Sequence, residues 1–172
     1  MNNKLYILCG IPFSGKSTLA KKIVEKLGFT RIDLDEIKFE MFGKDITDSQ
    51  INQSGWDKIY QEMYQRIRNK LLEGNTVIHD TGNFTKYERG LVKKIANEIG
   101  VDSTTILVNI SEEEAHKRLL ENRETKSRFD VSDSDFQSTV KEMEKPDNSE
   151  KHLIFQWYEN QDKWIDDNLL IK

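Results

Sequence analysis

The sequence predicts an α/β fold in which a parallel β-sheet is covered by helices. Two observations support this prediction. Short apolar runs alternate with longer segments whose apolar residues recur at helical spacing, and a glycine-rich turn joins the first apolar run to the first helical segment. The 172 residues suffice for one buried core, and we expect a single domain over residues 1–172.

The strands and helices follow from apolar spacing and from capping signals. Thr85 with Glu88, and Ser111 with Glu114, form the pattern of a capping box, which predicts that helices begin there. Residues 44–53 are polar and are predicted to form a loop. The predicted strands cover residues 4–9, 30–33, 76–80, 103–110 and 152–155. The predicted helices cover residues 17–27, 35–42, 55–73, 85–99, 111–120, 132–143 and 160–170.

One segment, residues 121–146, departs from this pattern. It is highly charged at its start, has little apolar periodicity and predicts only one short helix. It also carries Arg123 and Arg128, for which spacing alone indicates no carboxylate partner. A segment of this kind should make few buried contacts and have low local stability. We therefore expect a mobile lid at about residues 121–146.

Composition excludes several classes of protein. Charged residues make up 33% and apolar residues 36% of the chain, which is typical of a polar globular protein. The net charge of −4 argues against binding to extended nucleic acid, which usually requires a basic surface. No signal peptide or membrane-spanning run is recognisable, and the single cysteine, Cys9, cannot form an internal disulfide. We expect a cytoplasmic protein without a membrane partner; nothing in the sequence indicates its oligomeric state.

The strongest motif lies between the first strand and the first helix. Residues 10–17, G-I-P-F-S-G-K-S, match the phosphate-binding pattern G-x-x-x-x-G-K-[ST] at every fixed position, and we call them the P-loop. Glycines let backbone N–H groups turn toward a polyphosphate, and the helix that follows directs its positive end at the same anion. The pattern predicts ATP binding, with Lys16 at the β- and γ-phosphates and Ser17 as a Mg²⁺ ligand.

Three aspartates follow predicted strands and are candidates for the rest of the site. The carboxyl ends of parallel strands converge on the ligand crevice. Asp80, at the end of the third strand, is the candidate second Mg²⁺ ligand, although an aspartate there could also serve a turn or a helix cap. Asp33 and Asp35 follow the second strand. We favour Asp35 as the group that orients or deprotonates an acceptor hydroxyl, with Asp33 as the alternative.

A cluster of cations follows the fourth strand, and Arg118 and Arg123 are its best-placed members. Arginine can stabilise the negative charge that spreads over a phosphoryl group during transfer. The other interpretation is a solvated helix face that pairs with Glu114 and Glu121.

Four stretches together give the chain a family resemblance. They are the P-loop, the I-D-L-D-E-I-K segment, the stretch V-I-H-D-T-G-N-F-T-K-Y-E-R and the segment K-R-L-L-E-N-R. Over roughly residues 4–146 the chain resembles the predicted P-loop kinases. These are related to the kinase half of phage polynucleotide kinase and, more distantly, to zeta toxins and gluconate kinases.

The resemblance implies an adenylate-kinase-like core with strand order 2-3-1-4-5 and a mobile lid. It implies that Asp35 activates the acceptor and that Arg118 and Arg123 reach the ATP phosphates. Lys38 stands where polynucleotide kinases tend to have an arginine that grips the acceptor's phosphate, and lysine lacks the bidentate fork of arginine. The residues that it implies on the substrate side are Asp35, Lys38, Asp80, Asn83 and Arg89.

The sequence therefore predicts a kinase that uses ATP and Mg²⁺ and that phosphorylates a hydroxyl of a small molecule or of a nucleic-acid end. The alternative is a P-loop ATPase or nucleotide-dependent switch that acts on a protein partner. The predicted nucleotide-binding residues are Gly10, Ile11, Pro12, Phe13, Ser14, Gly15, Lys16, Ser17, Thr18 and Arg123. The predicted catalytic residues are Lys16, Asp35, Arg118 and Arg123.

Overall fold

The computed structural model describes residues 3–170, which form a five-stranded sheet with helices on both faces. The strand order is β2-β3-β1-β4-β5 and every neighbouring pair is parallel, which confirms the predicted order. The strands are β1 Lys4–Cys9, β2 Thr30–Asp33, β3 Val77–Asp80, β4 Asp102–Asn109 and β5 His152–Gln156. The first strand in the sequence, β1, lies at the centre of the sheet and leads directly into the P-loop.

In the described part of the chain, seven α-helices connect and cover the strands. They are α1 Lys16–Leu27, α2 Leu34–Phe42, α3 Gln53–Leu72, α4 Lys86–Ile99, α5 Glu112–Thr125, α6 Asp133–Glu142 and α7 Gln161–Asn168. The predicted loop at residues 44–53 contains a short 3₁₀ turn, Asp48–Gln50. Within residues 3–170 no helix is long and apolar enough to cross a membrane.

The two faces of the sheet have separate apolar cores. One core packs α2, α3 and α4 against side chains such as Leu5 and Ile7. The other packs α1 and α7 against alternate residues of the same strand, Tyr6 and Leu8. Successive strand residues point to opposite faces, so a strand covered on both sides must be apolar throughout. Each buried aliphatic side chain contributes on the order of 1.5–3 kcal/mol.

Helix starts follow the predicted caps, with one difference. Thr85 and Glu88 form a reciprocal capping box at the start of α4, as predicted. At the start of α5 only half of the predicted box is present. The Ser111 hydroxyl accepts from the Glu114 backbone N–H at 3.2 Å, but the Glu114 carboxylate binds Arg118 instead of returning to the cap. A charged partner one helical turn away competes successfully for this carboxylate.

The lid segment is more firmly packed than its composition suggested. Phe136 of α6 is fully buried in a third apolar cluster, which includes Ile11 and Phe13 of the P-loop and Leu119 of α5. The prediction of few buried contacts over residues 121–146 is therefore wrong for α6, because one large aromatic side chain docks it against the P-loop. Residues 126–132, between α5 and α6, form neither helix nor strand.

Candidate active site

The P-loop follows β1 closely and has room for glycine alone at its first position. Gly10 has a φ of +150°, and a Cβ atom there would lie 2.8 Å from the Val108 carbonyl oxygen and 2.9 Å from Ser14 Oγ. Gly15, at the N-cap of α1, has a φ of +99°. Both dihedrals are costly for any residue with a side chain. The two glycines therefore let the backbone turn tightly in front of the α1 N-terminus, where backbone N–H groups are available to an anion.

Lys16 lies across the mouth of this loop. Its ammonium donates to the backbone carbonyls of Gly10, at 2.7 Å, and Ile11, at 3.0 Å. Burial lowers the pKa of Lys16 to about 8, although the Asp80 carboxylate opposes this shift. The carbonyls are neutral partners, so the charge on Lys16 is only partly compensated within the protein, and an anion in the loop would complete its compensation.

The lowered pKa of Lys16 gives an expected pH dependence for nucleotide affinity. A bound polyphosphate raises the pKa of Lys16 above its value of about 8 in the free protein. Below about pH 8 the Lys16 amine is already protonated in the free protein, so nucleotide affinity does not change with pH on its account. Above about pH 8 the amine is mostly neutral in the free protein and must take up a proton when the nucleotide binds. Affinity should therefore fall about tenfold between about pH 7 and pH 9. Calorimetric titration with ATP at both values checks this, and the dependence should vanish in Lys16→Ala.

Ser17, Asp80 and Arg31 meet beside the P-loop. The Ser17 hydroxyl donates to Asp80 Oδ1 at 3.3 Å, and Arg31 Nε donates to Asp80 Oδ2 at 2.8 Å. Asp80 is 3% exposed at the end of β3. One carboxylate oxygen thus faces the Ser17 hydroxyl, while the other is held by Arg31. This arrangement orients Asp80 toward the P-loop.

Asp33 and Asp35, the two alternatives for the acceptor-activating group, have different surroundings. Asp33 caps α2: its Oδ1 accepts from the backbone N–H groups of Asp35, at 2.7 Å, and Glu36, at 3.3 Å. Its other oxygen pairs with Arg31. Burial, and then the nearby Asp80 charge, raise the pKa of Asp33 to about 6. The Asp35 side chain is 65% exposed and accepts from Lys38. Asp35 is the more accessible carboxylate.

Lys38 lies beside Asp35 but has little uncompensated charge. Its ammonium donates to Asp35 Oδ1 at 2.8 Å and to Asp48 Oδ1 at 2.9 Å. The residue is 6% exposed, and its ammonium lies 4.8 Å from the centre of the Phe39 ring. Lys38 therefore holds two carboxylates in place, and an anionic acceptor would have to displace them.

A cavity of about 420 Å³ joins the P-loop to the end of β2. At one end it is lined by Lys16, Ser17 and Thr18, and at the other by Asp35, with Asp80 between them. The P-loop, Asp80 and Asp35, predicted from separate motifs, thus line one continuous space. The predicted residues that line it are Pro12, Phe13, Gly15, Lys16, Ser17, Thr18, Asp35 and Asp80.

Asn83 and Arg89 lie behind this space. Asn83 Nδ2 donates to the Leu8 carbonyl at 2.8 Å and contacts His79 Nδ1 at 3.3 Å. Arg89 is fully buried and forms a two-point ion pair with Glu150, at 2.7 and 3.1 Å. Its remaining nitrogen donates to the carbonyls of Asn83 and Phe84. The resemblance implied that Arg89 faces the substrate. The structure instead gives it a role in holding the loop between β3 and α4.

Removal of Glu150 should destabilise the fold strongly. Glu150→Ala leaves the Arg89 guanidinium buried without its carboxylate, and breaking a buried pair in this way costs about 3–5 kcal/mol. Urea unfolding of the variant measures this loss. Glu98→Ala is the matched control, because Glu98 pairs with Arg68 on the surface and its loss should have a much smaller effect. Equal losses in the two variants would show that the buried pair has no special role.

The arginines predicted to reach the phosphates differ in position. Arg118 Nη1 donates to the Phe13 carbonyl of the P-loop at 3.4 Å, and its guanidinium lies 5.2 Å from the Trp157 ring centre. Arg123 is held by Asp130, at 3.1 Å, and by Asp133, at 3.0 Å. It therefore has the carboxylate partners that spacing did not reveal. Neither Arg118 nor Arg123 lines the cavity.

Comparison with known proteins assigns the family. Residues 5–146 match the profile of a family described as the AAA domain. The chain belongs to this family. A shikimate kinase from Clostridium botulinum (strain 657 / Type Ba4) is 34% identical over 124 residues, which are 69% of this chain and 66% of that enzyme. The chain spans only 6% of another relative, the pentafunctional AROM polypeptide of Kluyveromyces lactis.

Solved structures show that this AAA domain chain has the fold of P-loop kinases. Kti12 from Chaetomium thermophilum, in complex with ADP-AlF3, aligns with a TM-score of 0.75 at 17% identity over 96% of each chain. A gluconokinase from Sinorhizobium meliloti 1021 aligns with a TM-score of 0.60 at 16% identity, over 94% of this chain and 86% of that one. The resemblance to P-loop kinases is thus confirmed, and the architecture is shared along nearly the whole chain.

Two further arginines, Arg31 and Arg128, belong to the site of the AAA domain chain but are not among the predicted site residues. Arg31 pairs with Asp33 and Asp80, and connects the ends of β2 and β3. Arg128 lines the cavity, and its guanidinium lies 4.4 Å from the centre of the Phe13 ring. The order of the strands carries a usable signal for Arg31: because β2 and β3 are neighbours, an arginine on β2 lies within reach of Asp80.

Proposed function

We propose that this chain is an ATP-dependent kinase that transfers the γ-phosphate to a hydroxyl group of a small molecule or of a nucleic-acid end. One observation carries the proposal: a single cavity has a phosphate-binding loop at one end and the accessible Asp35 carboxylate at the other. The architecture shared with a gluconokinase and the similarity to a shikimate kinase support the same class of reaction.

The P-loop fits the polyphosphate of ATP. The N-terminus of α1 and the Lys16 ammonium both favour an anion at this position. Ser14 Oγ is buried in the loop and has no hydrogen-bond partner among residues 3–170, so a phosphate oxygen would supply one. Arg118, bound to the Phe13 carbonyl, and Arg128, stacked on the Phe13 ring, are the cations nearest the loop from α5 and the lid.

Ser17 and Asp80 fit a magnesium site. A hydroxyl and a carboxylate at the mouth of a phosphate-binding loop are oxygen ligands of the kind that Mg²⁺ prefers. When bound there, Mg²⁺ would neutralise charge on the transferred phosphates. Arg31, by holding the other Asp80 oxygen, keeps the carboxylate turned toward Ser17.

Asp35 performs the acceptor chemistry in this proposal. The acceptor oxygen forms a new bond to the γ-phosphorus, the bond to the bridging oxygen breaks, and ADP leaves. The proton of the acceptor hydroxyl passes to the Asp35 carboxylate, which Lys38 holds in position at 2.8 Å. Asp33 is less suited to this role because it already caps α2 and pairs with Arg31.

The proposal is tested by incubating the protein with ATP, Mg²⁺ and a pool of cellular metabolites and short oligonucleotides. We expect one or a few hydroxyl compounds to gain the mass of a phosphoryl group, and none to do so with Asp35→Asn. ATP consumption that yields only free phosphate, with no phosphorylated compound, would contradict a kinase.

We expect residues 126–132 to respond to the nucleotide. This stretch lacks helix and strand, and it carries Arg128 over the P-loop. Backbone amides without regular hydrogen bonds exchange quickly, and a bound phosphate would immobilise Arg128. Hydrogen exchange should therefore slow across residues 126–132 when a non-hydrolysable ATP analogue is added, while α6 around the buried Phe136 changes less. Equal protection with and without the analogue would show that the lid does not respond to ATP.

A further inference from the structure

A second cavity adjoins the phosphate cavity and extends between α3 and α4. Its volume is about 540 Å³, and it shares Tyr60, Thr81, Gly82 and Phe84 with the first cavity. The two cavities are therefore adjacent, and a molecule in the second cavity could extend into the space between Asp35 and the P-loop. The size and position suit the part of an acceptor that does not react.

The charges that line the second cavity all have one sign. Asp57 and Glu88 are its only charged lining residues within the described part of the chain, and neither forms an ion pair there. Asp57 accepts from Gln53 at 2.9 Å, and Glu88 accepts from the Thr85 backbone N–H at 2.8 Å. Both partners are neutral, so neither carboxylate is paired with a cationic side chain in these contacts.

Several cations around this cavity are already engaged by carboxylates. Arg89, whose guanidinium donates to the carbonyls of the lining residues Asn83 and Phe84, pairs with Glu150. Lys38 is engaged by Asp35 and Asp48, and Arg68, further along the α3–α4 groove, pairs with Glu98. Lys16 lies on the phosphate side, 5.8 Å from the Phe84 ring centre, where it would pair with the phosphates of ATP. His79, on the cavity floor, is neutral because burial lowers its pKa to about 3.

Aromatic rings supply most of the remaining contact surface. Tyr60, Tyr64, Phe84 and Tyr87 line the cavity. Tyr60 and Tyr64 follow one another along α3 with ring centres 6.2 Å apart, and Trp56 continues the row toward the phosphate cavity. Ring faces attract cations, and the attraction grows when the cation is desolvated. Carboxylates and aromatic rings together form a lining that favours an organic cation and disfavours an anion.

We infer that the second cavity is the acceptor site and that the acceptor is a hydroxyl compound that carries an organic cation such as an ammonium group. This inference rests on the proposed kinase function. The hydroxyl would lie at Asp35, and the cationic part would lie between Tyr60, Tyr64 and Tyr87, near Asp57 and Glu88. Acceptors whose non-reacting part is an anion would meet two carboxylates and no free cation there.

Calorimetry with three probes tests the inference on the full chain saturated with a non-hydrolysable ATP analogue. The probes are choline, its neutral isostere in which carbon replaces the nitrogen, and the carboxylate shikimate. We expect choline to bind about tenfold or more tightly than the isostere, because only choline gains the cation–π and carboxylate attractions. We expect shikimate to bind most weakly. Choline binding no tighter than that of its isostere, or no choline binding at all, would overturn the inference.

Matched variants show whether the cation lies in the second cavity. Asp57→Asn and Glu88→Gln keep the shape of each side chain, and the glutamine retains an oxygen for the Thr85 cap. Each should weaken choline binding several-fold and leave affinity for the ATP analogue unchanged. Asp167→Asn is the control and should change neither, because Asp167 is exposed on α7, which covers the other face of the sheet. Choline binding that survives the double variant Asp57→Asn, Glu88→Gln would place the cation elsewhere and overturn the inference.

The two proposals can fail separately. If the metabolite screen yields a phosphorylated compound without a cationic group, the acceptor inference fails and the kinase proposal stands. If the ATP analogue itself does not bind, the kinase proposal fails first.

Discussion

Lys16→Ala should reduce the affinity for ATP about ten- to hundredfold and abolish measurable turnover. Charge-assisted hydrogen bonds contribute about 1.5–3 kcal/mol each, and 1.4 kcal/mol corresponds to a factor of ten in affinity. In the free protein the ammonium is already directed into the P-loop by the carbonyls of Gly10 and Ile11. The ammonium therefore needs little ordering to bind a phosphate, and its removal should cost the whole free energy of this contact.

Calorimetry with ATP and Mg²⁺ measures this effect, and Lys21→Ala is its control. Lys21 is exposed on the same helix and does not line the cavity. Circular dichroism should show that both variants keep their helical content. Unchanged ATP affinity in Lys16→Ala would mean that the loop does not bind the nucleotide.

Asp35→Asn should lower turnover by about 10²–10⁴-fold while ATP affinity stays the same. Contributions of this size are typical when a general base is lost. Asparagine keeps an oxygen that can accept from Lys38, so the local geometry should survive while the proton acceptor is removed. The measurement is single-turnover transfer with the acceptor from the metabolite screen, with ATP binding determined in parallel.

Two further variants make the Asp35 result interpretable. Asp45→Asn changes an exposed aspartate that does not line the cavity, and it should leave turnover unaffected. Asp33→Asn keeps an oxygen that can cap α2 but loses the charge that pairs with Arg31, so its main effect should be on stability. If Asp33→Asn abolished turnover at unchanged stability and Asp35→Asn did not, Asp33 would be the acceptor-activating residue.

The sequence predicted the strands of the sheet well, and it located the P-loop, because both depend on local patterns. The apolar residues 5–8 are buried on both faces of the sheet, and such a run indicates a central strand. The P-loop motif specifies a backbone path within eight residues of chain. The strand order came from the family resemblance, since apolar spacing alone does not specify which strands are neighbours.

The parts that were not predicted depend on partners far apart in the chain. Arg89 lies on a polar-looking stretch of α4, but its carboxylate partner, Glu150, is 61 residues away. Arg123 pairs with Asp133, ten residues away across an irregular loop. The burial of Phe136 requires the P-loop and α5 to meet α6. None of these contacts leaves a periodic signal, so residue type alone suggested substrate binding or mobility.

The fate of the γ-phosphate tests the central claim most directly. The protein should be incubated with ATP labelled at the γ-phosphate, Mg²⁺ and the metabolite pool, and the label should be followed over time in wild type and Asp35→Asn. The kinase assignment predicts that wild type transfers the label to an organic acceptor and that Asp35→Asn does not, although both bind ATP. Label released only as free phosphate, at equal rates in both proteins, would contradict it and favour an ATPase.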